Sequence, residues 1–261
     1  MEIKWTILGL AIYTAMTLYA GAAILFAVRV RRVAWAVYGL GFAAAAAGWG
    51  LRWVEAGHVP LQNLFEVFLT LGALMFPITL FGRRFLGVGL EWGDAVIGLK
   101  VLIPAGLVFG AEPRMLPPAL QSSLFVPHVT AYMVAYVVMW KAMFSAFGVL
   151  VLGGERRLRA ERDTHVMVRL GFPLLTLGLV LGAVWGKIAW GDYWNWDPKE
   201  LWSLVSWLIF LGYFHFRYQY GKKYPRANAS LVLTGTAAIY LTLLWVNLAR
   251  LFAGGLHSYA S

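Results

Sequence analysis

The sequence predicts an all-α polytopic integral membrane protein, a bundle of about eight transmembrane helices with both termini outward. Three observations carry this. Of 261 residues, 61% are hydrophobic and only 13% charged, with mean hydropathy +0.69. A soluble domain carries about 25% charged and 45–50% apolar residues, so the polar surface here is too small to cover a water-soluble globule. Eight apolar stretches approach the ~20 residues that a helix needs to cross the hydrocarbon core. Basic residues then cluster after every second stretch, as they do on the cytoplasmic side of a membrane protein.

The elements follow in order as one transmembrane domain over 1–261. The first span, 6–28, ends in Arg29, Arg31 and Arg32. That cluster follows the apolar run instead of preceding it, which reads as a retained span and not a cleavable leader. The second, 34–50, contains the small residues Ala43 to Ala47, which permit close helix packing. The third, 61–82, leads to Arg83 and Arg84, and the fourth, 94–110, is the most polar, with Asp94, Lys100 and Pro104. The fifth, 128–152, precedes the longest polar stretch, Gly153 to Thr164, which reads as a loop holding Arg156, Arg157, Arg159 and Arg162. The sixth, 168–188, the seventh, 199–217, and the eighth, 230–250, complete the bundle, with Arg217, Lys222, Lys223 and Arg226 after the seventh. The segments at 55–60, 111–127, 189–198 and 252–261 then share the outward side. A Trp-rich outer loop joins helices 6 and 7.

Charge and cysteine usage narrow the function. The formal net charge is +10, but it is segregated to one side of the membrane, so it reports topology and not a nucleic-acid partner. There are no cysteines, hence no disulfide and no thiolate ligand. Any metal chemistry of the chain's own must use His, Asp, Glu or Met.

Six of the 13 Trp residues lie between 185 and 207. The run is Trp190-Gly-Asp-Tyr-Trp-Asn-Trp-Asp-Pro-Lys-Glu-Leu-Trp-Ser203. An interfacial aromatic belt and a platform for a planar ligand both account for such a density. Asp197, Pro198 and Glu200 have the spacing of a helix start, with an N-cap, Pro at the first position and a capping box. In an extended chain Trp194 and Trp196 share one face. The five histidines sit in five different segments. His128 follows Pro127 at the outward start of the fifth span, where the positive end of the helix dipole favours a neutral, ligating imidazole. His257 lies in the outward tail. His215 is ~26 Å down the seventh helix from Pro198, beside Arg217 near the inner side. His58 faces outward with no assigned role, a structural hydrogen bond standing ahead of ligation, and His165 reads as a solvated loop residue. Arg52, Arg114, Lys187, Lys199 and Arg250 are the outward basic groups that could pair with carboxylates.

The run Trp190-Gly191, Tyr193-Trp194, Trp196-Asp197-Pro198-Lys199-Glu200 and Trp202-Ser203 resembles the WWD motif, here about 185–207, of the heme-handling proteins of cytochrome c biogenesis. Gly171-Phe-Pro-Leu-Leu-Thr-Leu-Gly178 and Gly255-Leu-His-Ser-Tyr259 match as well. Gly57-His-Val-Pro-Leu-Gln-Asn-Leu-Phe-Glu66 resembles the CcsA/ResC branch (system II) in particular. The resemblance runs from about residue 55 onward. It implies a cofactor-binding loop of Trp190, Tyr193, Trp194, Trp196, Asp197 and Trp202 cradling heme b. It implies His128 and His257 as axial ligands of an outer heme iron and His215 as a ligand of an inner heme site. The second ligand of that inner site comes, in the family, from a CcsB/ResB-type membrane partner.

The implied function is heme handling in cytochrome c maturation. Heme b moves to the outward bis-His, Trp-rich site for thioether attachment to the Cys-x-x-Cys-His of apocytochrome c, with thiol-reducing proteins keeping those cysteines reduced. The chain would act as the heme-attachment (holocytochrome c synthase) component together with its partner. It would lie in the bacterial cytoplasmic membrane, or its thylakoid equivalent, with the WWD loop outside. Three other readings compete. A CcmC-like chaperone would pass heme to another carrier, and a b-type electron-transfer subunit would place paired histidines on shared helices, which this sequence lacks. A heme-free transporter would be colourless.

Overall fold

A computed structural model describes residues 3–245, for Trp245 the backbone alone. Within it the chain forms eight α-helices and no strand among the described residues. These are α1 (Ile7–Ala27), α2 (Arg31–Ala56), α3 (Leu64–Leu86), α4 (Glu91–Leu107), α5 (Phe125–Val151), α6 (Gly154–Trp190), α7 (Pro198–Tyr220) and α8 (Pro225–Tyr240). A 3-10 turn at Pro118–Leu120 precedes α5, and a π-helical turn at Leu241–Trp245 extends α8. Six helices are long and apolar enough to cross a membrane, all except α4 and α7, which makes this an integral membrane protein. Helices are the open-ended form that satisfies every backbone group without water. The sequence-predicted end of the eighth span, the tail motif Gly255–Tyr259 with His257, and Arg250 lie outside the described residues.

One boundary differs in kind from the sequence reading. The polar stretch Gly153–Thr164, expected as a loop, is the first three turns of α6, which runs 37 residues without interruption. Its Glu, Arg, Leu and Ala residues are good helix formers, and Arg159 pairs with Glu155 at i,i+4 spacing, 3.4 Å apart. Hydropathy marks where lipid begins, not where the helix does.

The chain divides into two compact units at Leu120/Gln121. In the first, α1–α4 pack around Tyr19, whose ring is fully buried and whose hydroxyl donates to the Gly72 carbonyl at 3.0 Å. A Cβ at Gly41 or Gly98 would fall 2.6 or 2.8 Å from that ring, so both positions need glycine for this close approach. Tyr38 meets Tyr19 edge-on at 5.0 Å. At one end of the unit Glu91 accepts from Arg31 at 2.8 Å and also pairs with Arg83. In the second unit α5 and α6 lie against one another along most of their length, and α8 packs on α5 and α7. Gly171, Gly178 and Gly182 of α6 face Met139, Tyr132 and His128 of α5. Small residues at helical spacing let two membrane helices approach closely, because dispersion replaces the hydrophobic effect as the attraction between them.

Candidate functional site

His128 stands in the first turns of α5, after Phe125 begins the helix. Its Nδ1 lies 2.8 Å from the carbonyl oxygen of Gly178 on α6. A carbonyl can only accept, so Nδ1 is the donor and Nε2 is the ring nitrogen directed away from Gly178. Metal-binding imidazoles commonly tie the second nitrogen to a backbone carbonyl in this way, which fixes tautomer and ring direction. The half-buried ring meets Tyr132 edge-on at 5.2 Å and tilts against Trp185 at 5.5 Å. Trp185 is buried and in turn lies 4.9 Å from Trp190. A ladder of rings thus leads from His128 along α6 into the Trp-rich segment. Tyr132, one turn below His128, hydrogen-bonds Ser203 of α7, tying the same imidazole neighbourhood to the far end of the motif.

The segment 191–197 between α6 and α7 is irregular backbone held from both ends. Gly191 ends α6 in the left-handed region with φ 91°. Lys187 of the last turn caps the Gly191 carbonyl, and its ammonium sits 5.6 Å from the Tyr193 ring centroid. At the other end the helix-start chemistry expected for Asp197, Pro198 and Glu200 is present. The Asp197 carboxylate accepts from the Lys199 amide at 3.0 Å, and Glu200 reaches back to the Asp197 amide at 3.2 Å. Glu200 also accepts from the Asn195 amide at 2.8 Å, so one carboxylate closes two turns of the loop.

Between these anchors the rings are presented outward. Tyr193 and Trp196 are 60% and 67% exposed, Trp190, Trp194 and Trp202 are half-buried, and Asp197 is buried. The Trp194 and Trp196 rings meet edge-on at 6.1 Å. They do not share a face by extended alternation, because Trp196 adopts φ 57°. A bulky residue in the left-handed region is strained, and the Trp196 ring it carries is exposed. The Asn195 side-chain nitrogen is buried without a hydrogen-bond partner among the described residues. That orphaned donor, the oriented imidazole and the cluster of tilted and edge-on rings are groups that could hold a flat ligand with carboxylate arms. Among the described residues no cluster of three or more His, Asp or Glu could hold a bare metal ion.

The other sequence candidates separate. His215 is exposed on α7, on a stripe with Leu201, Val205, Leu208 and Leu211. Among the described residues it makes no hydrogen bond. His165 is not a solvated loop residue. It lies on α6, half-buried, with Nδ1 3.0 Å from the Tyr213 hydroxyl, beside the buried Glu161–Arg217 pair that joins α6 to α7. His58 lies with its two ring nitrogens 3.0 and 3.1 Å from the Val59 and Arg114 carbonyls. Arg52 is spent elsewhere: it is fully buried and gives two hydrogen bonds to Glu66, at 2.9 and 2.8 Å.

Sequence reasoning passed over Lys141, fully buried within α5 and acting electrostatically on Asp163 of α6. It also passed over Glu161 and Gly182. Their only signal is a charge, or an absent side chain, at a position that turns inward once the helices pack.

A family of cytochrome C assembly proteins has a sequence model that matches residues 68–253, and the chain belongs to that family. It is 30% identical over 270 residues to a cytochrome c biogenesis protein CcsA of Synechococcus elongatus, covering 80% of this chain and 82% of that one. The CcsA of Guillardia theta is 32% identical (80% and 79% covered), and that of Chlamydomonas reinhardtii 33% (80% and 63%). Within the family, then, the chain is of the CcsA type, with a role in cytochrome c maturation.

Proposed function

We propose that this chain brings heme b to a site formed by His128, His257 and the Trp-rich segment, and presents it to apocytochrome c for thioether attachment. Heme is cargo and substrate here. The observation that carries the reading is the His128 imidazole, oriented by the Gly178 carbonyl and joined through Trp185 and Trp190 to the exposed rings of 193–196. His128 would supply one axial nitrogen, and His257 the other. Tyr193, Trp194, Trp196 and Trp202 would cover a porphyrin face, and the Asn195 amide with Lys187 or Lys199 would meet its carboxylates. Attachment adds a cysteine S–H across each vinyl double bond, sulfur to one carbon and hydrogen to the other, with nothing lost. The thiols belong to the substrate's Cys-x-x-Cys-His, in keeping with a chain that has no cysteine. The chain's contribution is to hold the ring and leave the vinyl edges open, which is catalysis by positioning.

We infer that α4 and α7 also cross the membrane, giving eight spans with both termini and the 191–197 segment outside. The basic clusters at 29–32, 83–84, 156–162 and 217–226 then face the cytoplasm. His215, exposed on α7 near the inner side, would face a CcsB/ResB-type partner carrying the second ligand of an inner heme site. The bacterial cytoplasmic membrane, or its thylakoid counterpart, suits this arrangement.

The test is a reduced-minus-oxidised visible spectrum with heme quantified, on detergent-purified protein produced with its partner. The parent should carry low-spin heme, and the His128→Ala/His257→Ala variant should lose most of it or change its ligation. A parent that stays colourless when supplied with heme sinks the reading and leaves the Trp cluster as an interfacial belt.

A further inference from the structure

Gly182 is the residue that makes the seat of His128 possible. The carbonyl of Gly178 already points along α6 toward the amide four residues on, as every interior helical carbonyl does. A second donor must reach it from the side, and the donor present, His128, comes in across position 182. No side chain stands there. A Cβ built there would lie 2.6 Å from His128 Cε1, 3.0 Å from Nδ1 and 3.5 Å from Nε2. Apart from the adjoining residues and backbone of α6 itself, the three heavy atoms nearest to it all belong to that imidazole, and the second of them is the nitrogen that binds the Gly178 carbonyl. The ring therefore occupies the volume that an alanine methyl would fill.

We infer that Gly182 is a positioning residue for His128: its missing side chain admits the imidazole to the Gly178 carbonyl and so aims Nε2. This rests on the proposed role of His128 as an iron ligand. It goes beyond that role by assigning the ligand's direction and tautomer to the backbone of α6. Gly178 contributes in the same register, since a Cβ there would fall 2.9 Å from the Tyr132 ring that meets His128 edge-on. Tyr132 is also bonded to Ser203, so α6 glycines, α5 rings and the start of α7 form one arrangement around the imidazole. Simple close packing of α5 on α6 is the ordinary role of such glycines. What separates Gly182 from that role is the polar contact lying against it.

A methyl at 182 has an inexpensive way out, because the imidazole is the far end of a rotatable side chain. Gly182→Ala should fold, swing the ring off Gly178 and leave a ligand pointing in the wrong direction. The experiment is a double-variant cycle of Gly182→Ala and His128→Ala in the full chain with its partner, read two ways. The first is heme content and the low-spin spectrum. The second, on heme-free protein, is the rate of carbethoxylation of His128 by diethyl pyrocarbonate, followed by peptide mass spectrometry.

Gly182→Ala alone should lower heme retention at least tenfold, or convert the spectrum to high spin, and raise the His128 modification rate several-fold. Its thermal midpoint should stay near the parent's. In the His128→Ala background it should change neither heme content nor stability, because the ring it displaces is gone. Equal loss of stability in both backgrounds would overturn the inference in favour of plain helix packing. So would an unchanged spectrum together with an unchanged modification rate. If Gly182→Ala alone cannot be recovered folded, recovery of the double variant supports the inference and its loss overturns it. If His128→Ala keeps the parent's heme, the ligand reading fails, and the modification rate still decides whether Gly182 seats the ring.

Discussion

Two loop regions, one in each unit, are rich in polar or aromatic groups and are held by opposite rules. At the corner between α2 and α3 most of the hydrogen-bonding capacity is spent, Gln62 Oε1 being the buried side-chain atom there without a partner among the described residues. Arg52 binds Glu66 and the carbonyls of Ala111 and Glu112. The second oxygen of Glu66 takes the Gln62 amide at 2.8 Å, and Asn63 caps α3 through the Glu66 amide at 3.0 Å. Gln62 and His58 hold the carbonyls of Met115 and Arg114. Four carbonyls between 111 and 115 are thus gripped by side chains, two by Arg52 and two by His58 and Gln62 of the Gly57–Glu66 motif, which the sequence marks only as a family resemblance. The 191–197 segment is instead anchored at its ends and left unsatisfied in the middle. It has a strained Trp196, exposed rings and a buried amide without a partner. Largely satisfied networks of this kind hold a shape. A strained residue and an orphaned donor in a loop that the fold firmly brackets are what the proposed ligand-binding role draws on.

The largest effect should come from the α2–α3 corner. Glu66→Ala strands the fully buried Arg52 charge and should cost about 3–5 kcal/mol, seen as a lower thermal midpoint or poor recovery. Heme per folded molecule should not change. Heme lost at parental stability would make the corner part of the binding site and erase the contrast.

The Trp-rich loop should answer in the reverse sense. Trp196→Gly removes a bulky side chain from the left-handed region, where such strain costs about 1–3 kcal/mol. Stability should hold or rise slightly, while heme retention falls about threefold to tenfold with the lost ring contact. A drop in thermal midpoint with heme retained would mean that the ring serves the fold.

Asp197→Ala should have the smallest effect of the three. It deletes the N-cap of α7, costing about 1 kcal/mol, and loosens the turn that presents Trp194 and Trp196. Asp197→Asn, which keeps an acceptor for the Lys199 amide, should restore stability and heme retention together. If Asn restores stability alone, the carboxylate charge also serves the cargo.

How much of this was legible in the sequence depended on the range of the forces involved. The start of α7 could be read from Asp197, Pro198 and Glu200 because capping is settled within one turn. Membrane helices could be read from composition because lipid cannot satisfy backbone groups and so demands long apolar helices. The beginning of α6 could not, since Gly153–Thr164 is polar yet helical and hydropathy registers only the solvent. His165 reads as solvated in the sequence because its partner, Tyr213, lies 48 residues away. Arg52 reads as open to a ligand because Glu66 meets it only when the α2–α3 corner closes. Lys141 gave no sign of its burial beyond being a charge in an apolar run.

The sequence by itself therefore determined the solvent, the helices, the family and the identity of the ring-bearing segment, all of which are local or compositional properties. Only the tertiary structure decided which polar groups are consumed and which are left over. That outcome rests on packing between helices distant in sequence. The Gly178 carbonyl and the empty space at Gly182 become a seat for His128 only once α5 lies against α6.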